Sequence, residues 1–144
     1  MRVRDHIALS TAGAALLSRR LGRGVVSFWA GAVLIDVDHY VWFCSRERRL
    51  NPVSAVRYFN GAHTQQDAPT RALHSPLALL AVLLLGARRP QLLAVALGMG
   101  MHVALDRFHE TRMTQARAAA LERDDLTCQV CGVRGPQVGT HLER

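Results

Sequence analysis

Four apolar segments, separated by polar and arginine-containing stretches, constrain the fold of this chain more than any other feature. They cover residues 7–18, 25–43, 76–87 and 92–105. Leucine and alanine dominate them and none alternates apolar with polar residues, so the pattern predicts helices rather than strands. The short basic connections within the first pair of segments and within the second pair predict two antiparallel hairpins.

The lengths of these segments bear on whether they cross a membrane. A hydrocarbon layer of about 30 Å requires about 20 helical residues, and only residues 25–43 reach that length. The other three need snorkelling arginines and a locally thinner bilayer. The alternative is a soluble four-helix bundle, but the stretch LALLAVLLLGA lacks the polar stripe of a surface helix. We therefore expect an all-α, four-helix integral-membrane bundle.

The remaining chain is polar. Residues 45–73 join the two hairpins and include a short amphipathic pattern at 52–59, and residues 107–123 predict an exposed, arginine-rich helix. A chain of 144 residues fits one domain with a short appendage. We expect residues 1–110 to form the helical membrane domain and residues 111–144 to form the arginine-rich helix and a CxxC tail.

The net charge of +7 comes from arginine alone, since the chain contains no lysine. Arginines that flank membrane segments explain it, and an anionic lipid or nucleic-acid partner is the alternative. The N-terminus resembles a signal peptide, with a basic start followed by an apolar stretch. Asp5 and His6 interrupt that pattern, and Arg19 and Arg20 stand where cleavage should occur. We expect a retained helix.

Ionisable residues that can bind metal ions cluster at one set of helix ends. In a chain of two antiparallel hairpins, the start of the first helix, the end of the second, the start of the third and the end of the fourth lie on the same side. The residues at these positions are His6, Asp36, Asp38, His39, His74, His102 and Asp106. Asp36 and His39 are spaced i,i+3, and His102 and Asp106 are spaced i,i+4, so each pair shares a helix face. Asp38 points elsewhere, either as an outer hydrogen-bond partner of the site or as a ligand of a second metal.

This residue set predicts a metal site. Imidazole and carboxylate together suit zinc, manganese or iron(II), and ionisable groups at membrane depth are costly and usually functional. We expect a divalent transition metal, zinc or manganese, and the number of ligands leaves room for two ions. For His6 a role as a helix-entry residue is the alternative. His63 and His109 are interpreted as bystanders, and Ser75 as a helix N-cap.

Four short motifs in this order resemble a known family. They are His6, DVDH at 36–39, RALHS at 71–75 and HVALD at 102–106. The pattern is similar to that of the predicted membrane-bound metal-dependent hydrolases, the family of the LexA-regulated inner-membrane hydrolase of enterobacteria. The resemblance implies that the seven residues above bind the metal and that the protein lies in a bacterial inner membrane. Ala72 and Leu73 depart from the family, in which a glycine is common at this place.

The tail resembles a different family. RAAALERDDLTCQVCG, residues 117–132, is similar to the opening of the zinc module of HNH-type nucleases. The resemblance implies a second zinc site at Cys128, Cys131 and His141. A structural zinc takes four ligands, and the second cysteine pair of that family is missing. We expect a truncated zinc knuckle rather than an active nuclease.

The predicted function is hydrolysis of an ester or phosphoester, including a lipid-derived one, by metal-activated water, with Asp38 or His74 as general base. The membrane lipid is then a partner. One alternative is a non-catalytic membrane metal-binding or metal-transport protein, although the third and fourth predicted helices are apolar between Pro76 and Gly98, which argues against transport. Another is a nucleic-acid-associated membrane protein that acts through the basic tail. Thiolate zinc ligands favour a reducing compartment, so we expect the site to face the cytoplasm.

Overall fold

The computed structural model describes residues 3–61, 71–124 and 127. Its helices are α1 (Val3–Leu21), a 3-10 turn (Gly22–Gly24), α2 (Val25–Leu34), α3 (Val37–Glu47), α4 (Pro52–Asn60), α5 (Pro76–Gly86) and α6 (Pro90–Arg123). The all-α class is confirmed for the described residues. The chain divides into two compact units, Met1–Leu105 and Asp106–Arg144.

Two helices begin at polar caps followed by proline. The Asn51 side chain accepts hydrogen bonds from the backbone N–H groups of Val53 (2.9 Å) and Ser54 (3.3 Å) at the start of α4. The Ser75 hydroxyl accepts from the N–H of Ala78 (3.1 Å) at the start of α5. Proline suits the first helical position, where its missing N–H has no intrahelical partner. The N-cap prediction for Ser75 is confirmed.

The apolar segment at 25–43 is two helices, not the single helix that the sequence predicts. α2 ends at Leu34 and α3 begins at Val37, with Asp36 as the N-cap residue of α3. The Asp36 carbonyl accepts from the N–H groups of His39 (3.1 Å) and Tyr40 (3.3 Å). Aspartate favours helix ends over helix interiors because its short side chain competes for backbone hydrogen bonds. Asp36 and His39 therefore both lie at the N-terminal end of α3 and not within one helix that spans 25–43.

The fourth apolar segment and the predicted arginine-rich helix are continuous in the structure. Together they form α6, which has 34 residues. No glycine or proline interrupts residues 102–123, so no helix breaker separates the two predicted helices. The part that belongs to the first unit carries His102, and the part from Asp106 onwards is mostly exposed.

Within the first unit, α2 and α6 approach each other closely through glycines. A Cβ atom added at Gly31 would overlap the backbone of Val95, and one added at Gly98 would overlap the carbonyl of Phe28. Small residues at a helix crossing let the two backbones come near, as they do in membrane helix pairs. This close crossing brings the carbonyl end of α2, including Ala32, beside His102.

α1 is fixed against α2 by side-chain hydrogen bonds. The Ser10 hydroxyl donates to the Ala32 carbonyl (3.4 Å), and the Trp29 indole N–H donates to the Thr11 hydroxyl (3.0 Å). His6 precedes Ser10 by four residues and so lies on the same face of α1. The contact with α2 therefore turns His6 inward, and it is buried like Ser10.

Many large apolar side chains of the first unit are exposed. Leu16 of α1 is 83% exposed, and in α5 Leu77 is 75% exposed and Leu84 66%. Among the described residues, the helical stretch Val3–Glu47 is the one long and apolar enough, by length and composition, to cross a membrane. α5 has 11 residues, about 16 Å of helix at about 1.5 Å per residue, and is shorter than a span.

Candidate metal centre

Five of the predicted site residues come together in the first unit. His6, Asp36 and His102 form one group, and Asp36, His39 and His74 form another. In each group the candidate ligand atoms lie within 4.8 Å of one another. These groups could hold a metal ion, and Asp36 belongs to both.

The Asp36 carboxylate is the centre of this cluster. Its Oδ1 atom lies 3.4 Å from Nε2 of His74, 3.4 Å from Nε2 of His102 and 3.7 Å from Nε2 of His39. Two ligands bound tetrahedrally at about 2.0–2.1 Å from one ion lie about 3.4 Å apart. The observed separations therefore match those of ligands that share an ion.

His102 is held in one orientation by the backbone of α2. Its side chain is fully buried, and its Nδ1 atom lies 2.8 Å from the Ala32 carbonyl oxygen. Because a carbonyl only accepts hydrogen bonds, Nδ1 is the donor, and Nε2 faces Asp36. In a neutral imidazole this Nε2 carries a lone pair, which would then face a carboxylate oxygen. A cation between the two atoms removes that repulsion, so the geometry fits a bound cation.

His6 lies directly against His102. The two rings stack with centroids 4.3 Å apart and planes at 10°. His6 is 6% exposed. A role at the helix entry alone does not account for this placement, because α1 begins at Val3 and His6 is already inside the helix.

Asp38 lies next to the cluster and contacts two of its histidines, His39 and His74. Its Oδ1 accepts from the backbone N–H of His39 (2.8 Å), and its Oδ2 accepts from that of Leu73 (2.9 Å). The same Oδ2 lies 3.2 Å from Nδ1 of His74. A carboxylate on the remote nitrogen of a histidine orients that ring toward a metal. The geometry favours this orienting role over the direct ligation predicted for Asp38.

The environment of His74 favours positive charge. Burial by itself lowers the pKa of His74, but hydrogen bonds to Asp36 and Asp38 outweigh burial and raise it to about 9. The two carboxylates thus create a negative potential at this ring. A site that stabilises a cation in this way is suited to a metal ion.

Aromatic side chains of α3 and α4 border the cluster. The ring centroids of Phe59 and His39 lie 5.2 Å apart. Trp42 and Phe43 of α3 each contact Tyr58 and Phe59 of α4, and Tyr58 also contacts Phe59. The guanidinium of Arg46 lies 5.6 Å above the Trp42 ring. The sequence reasoning did not assign these residues to the site. The feature of the sequence that could have indicated them is the aromatic content of the two short helices on either side of residues 48–51.

The remaining predicted ligands belong to neither of these two groups. Asp106 follows His102 by one turn of α6 and belongs to the second unit; its role as a ligand stays a prediction. Cys128, Cys131 and His141 lie outside the described residues, as does His63. The second zinc site and the nuclease-like tail therefore stay predictions.

Comparison of the chain with protein-family models, with curated proteins and with solved structures found no match.

Proposed function

We propose that this protein is a membrane-bound metal-dependent hydrolase. The observation that carries the proposal is the convergence of three imidazole Nε2 atoms on one oxygen of Asp36. The proposed ligands are His6, Asp36, His39, His74 and His102, with Asp106 as a further candidate. A divalent zinc or manganese ion at this position supplies Lewis acidity and a lowered pKa of water, which serve ester and phosphoester hydrolysis.

Some groups of the proposed site bind the metal, and others orient the histidine ligands. Asp36 provides the negative charge at the centre. The Ala32 carbonyl holds Nδ1 of His102, and Asp38 holds Nδ1 of His74, so both rings direct Nε2 toward Asp36. Such outer hydrogen bonds reduce the reorganisation that binding requires. We assign Asp38 as a positioning residue, and His74 as a ligand rather than the general base.

The exposed apolar surface supports a membrane location. Leu77, Leu84 and Leu85 of α5 face outward, and a contiguous exposed apolar surface marks a membrane or protein contact. We infer that α1 with α2, and α5 with the first part of α6, form two hairpins in the bilayer. Trp42 and Tyr58, beside the site, are residues that favour the headgroup level. A lipid-derived ester or phosphoester would reach a site at that level.

The family resemblance supports the same function. The five residues that come together are contributed by all four motifs of the resemblance, from His6 to HVALD at 102–106. Membership in the predicted membrane-bound metal-dependent hydrolases, and a site on the cytoplasmic face of a bacterial inner membrane, are parts of this proposal.

The test is elemental analysis and activity of the detergent-purified protein. We expect stoichiometric zinc or manganese, and metal-dependent cleavage in a screen of carboxyl esters and phosphoesters. Asp36→Asn should lose both the metal and the activity, because it removes the central negative charge. His109→Gln is the matched control, since His109 lies in neither group of candidate ligands in the first unit, and it should retain both. A native protein without stoichiometric metal, or an Asp36→Asn variant that retains it, would contradict the proposal.

A further inference from the structure

We propose that the centre holds two metal ions that share Asp36. His6 and His102 complete one subsite, and His39 and His74 complete the other. This inference rests on the proposed function and specifies its cofactor. It follows from how the ligand atoms group around Asp36: two sets of three ligand atoms within 4.8 Å of one another contain Asp36, and these two sets have no histidine in common.

The number of ligands fits two subsites better than one. Each subsite has one carboxylate and two imidazoles, and three protein ligands with one position left for water is the usual composition of a catalytic zinc site. Four imidazoles and a carboxylate around one tetrahedral ion would exceed four ligands and leave no open position. A carboxylate has two oxygens with about four lone-pair directions, so Asp36 can serve both ions.

The ring orientations divide the histidines into the same two pairs. The His6 and His102 planes meet at 10°, and those of His39 and His74 at 29°. Across the pairs, the His74 and His102 planes meet at 71°. The ring centroids of His39 and His74, and those of His74 and His102, are both 5.1 Å apart, so the ring planes and not the centroid distances distinguish the pairs.

Each pair also has its own orienting hydrogen bond. The Ala32 carbonyl holds His102 (2.8 Å), whereas Asp38 holds His74 (3.2 Å) and lies 3.8 Å from Nδ1 of His39. Separate outer hydrogen bonds on the two pairs are expected when each pair serves its own ion. Two dications with Asp36 and Asp38 leave excess positive charge, which favours an anionic phosphoester over a neutral carboxyl ester as substrate.

The experiment counts ions in the detergent-purified full chain. Cys128→Ser and Cys131→Ser are introduced first, so that zinc bound by the tail does not enter the count. After removal of metal by a chelator, the protein is dialysed against Zn²⁺ and analysed. We expect two ions per chain in this parent, one in His102→Gln, one in His39→Gln and none in Asp36→Asn. His109→Gln, the matched control, should retain two.

The possible results separate this inference from the proposed function. One ion per chain in the parent, lost in both His39→Gln and His102→Gln, would overturn the two-ion centre and leave a one-ion hydrolase. No ion in the parent would overturn both. Because a buried variant can misfold, the parent alone is also loaded with Mn²⁺ and measured by electron paramagnetic resonance. An exchange-coupled spectrum supports two neighbouring ions, and an isolated six-line spectrum from fully loaded protein contradicts them.

Discussion

Asp36 and Asp38 are two residues apart, yet they have different partners in the structure. Asp36 precedes α3 and directs Oδ1 at three imidazole nitrogens, whereas both oxygens of Asp38 accept backbone N–H groups. From the sequence alone both were candidate ligands, with Asp38 expected to point away from Asp36 and His39, as an outer hydrogen-bond partner or a ligand of a second metal. What separates them is the backbone of His39 and Leu73, whose N–H groups donate to the two oxygens of Asp38. Leu73 lies 35 residues away along the chain, so no local pattern could reveal this contact.

Asp38→Asn should weaken metal binding without removing it. The amide keeps the size of the carboxylate but loses the charge that holds Nδ1 of His74, and loss of such an outer partner costs about 10–100-fold in affinity. The measurement is Zn²⁺ competition with a chromophoric chelator. Asp124→Asn, a change of the same type at an exposed pair with Arg123, should leave the affinity unchanged. Complete loss of metal in a folded Asp38→Asn protein would instead make Asp38 a ligand.

At the scale of elements, the contact between α2 and α6 decides the position of His102. The predictions of helical structure for the apolar segments and for 52–59 agree with the structure, but the second apolar segment is divided into α2 and α3 and the fourth continues in α6 to Arg123. The interruption at Asp36 was missed because the flanking residues are apolar and continue the helical pattern. The Gly31 and Gly98 crossing was missed as well, since glycines in an apolar helix do not show which helix they face.

Gly98→Ala should destabilise the protein and lower its metal content. The new methyl group would overlap the Phe28 carbonyl, so α6 must move away from α2 and the His102 hydrogen bond to Ala32 must lengthen. Overpacking of this kind costs about 1–3 kcal/mol. Gly100→Ala is the matched control, because a Cβ there meets nothing within 4 Å. Thermal unfolding in detergent measures both, and equal midpoints would refute the close crossing.

At the scale of the whole molecule, the exposed surface indicates whether the protein is surrounded by water or by lipid. The exposed leucines of α1 and α5 are not covered by other described residues of the first unit. Apolar area of this kind costs about 25 cal/mol per Å² when it faces water. The same area is favourable in contact with lipid chains, which is the physical reason for the proposed membrane location.

The protein should therefore fractionate as an integral membrane protein. After expression with a C-terminal tag, it should remain with the membrane pellet in alkaline carbonate and enter solution only with detergent. A protein held at the surface by its arginines alone would leave the membrane at high salt, because salt screens exposed charges. Release by carbonate or by salt would contradict the hairpins proposed for the bilayer.

The sequence by itself determined the helical class and the identity of the residues that can bind metal. Apolar composition and helical periodicity are local properties, and His6, Asp36, His39, His74 and His102 all lie at the predicted helix ends. The tertiary structure alone decided which of these residues come into contact. It placed Asp36 between two histidine pairs and gave Asp38 to backbone donors, since contacts between residues far apart in the chain depend on how helices pack and not on the order of residues within them.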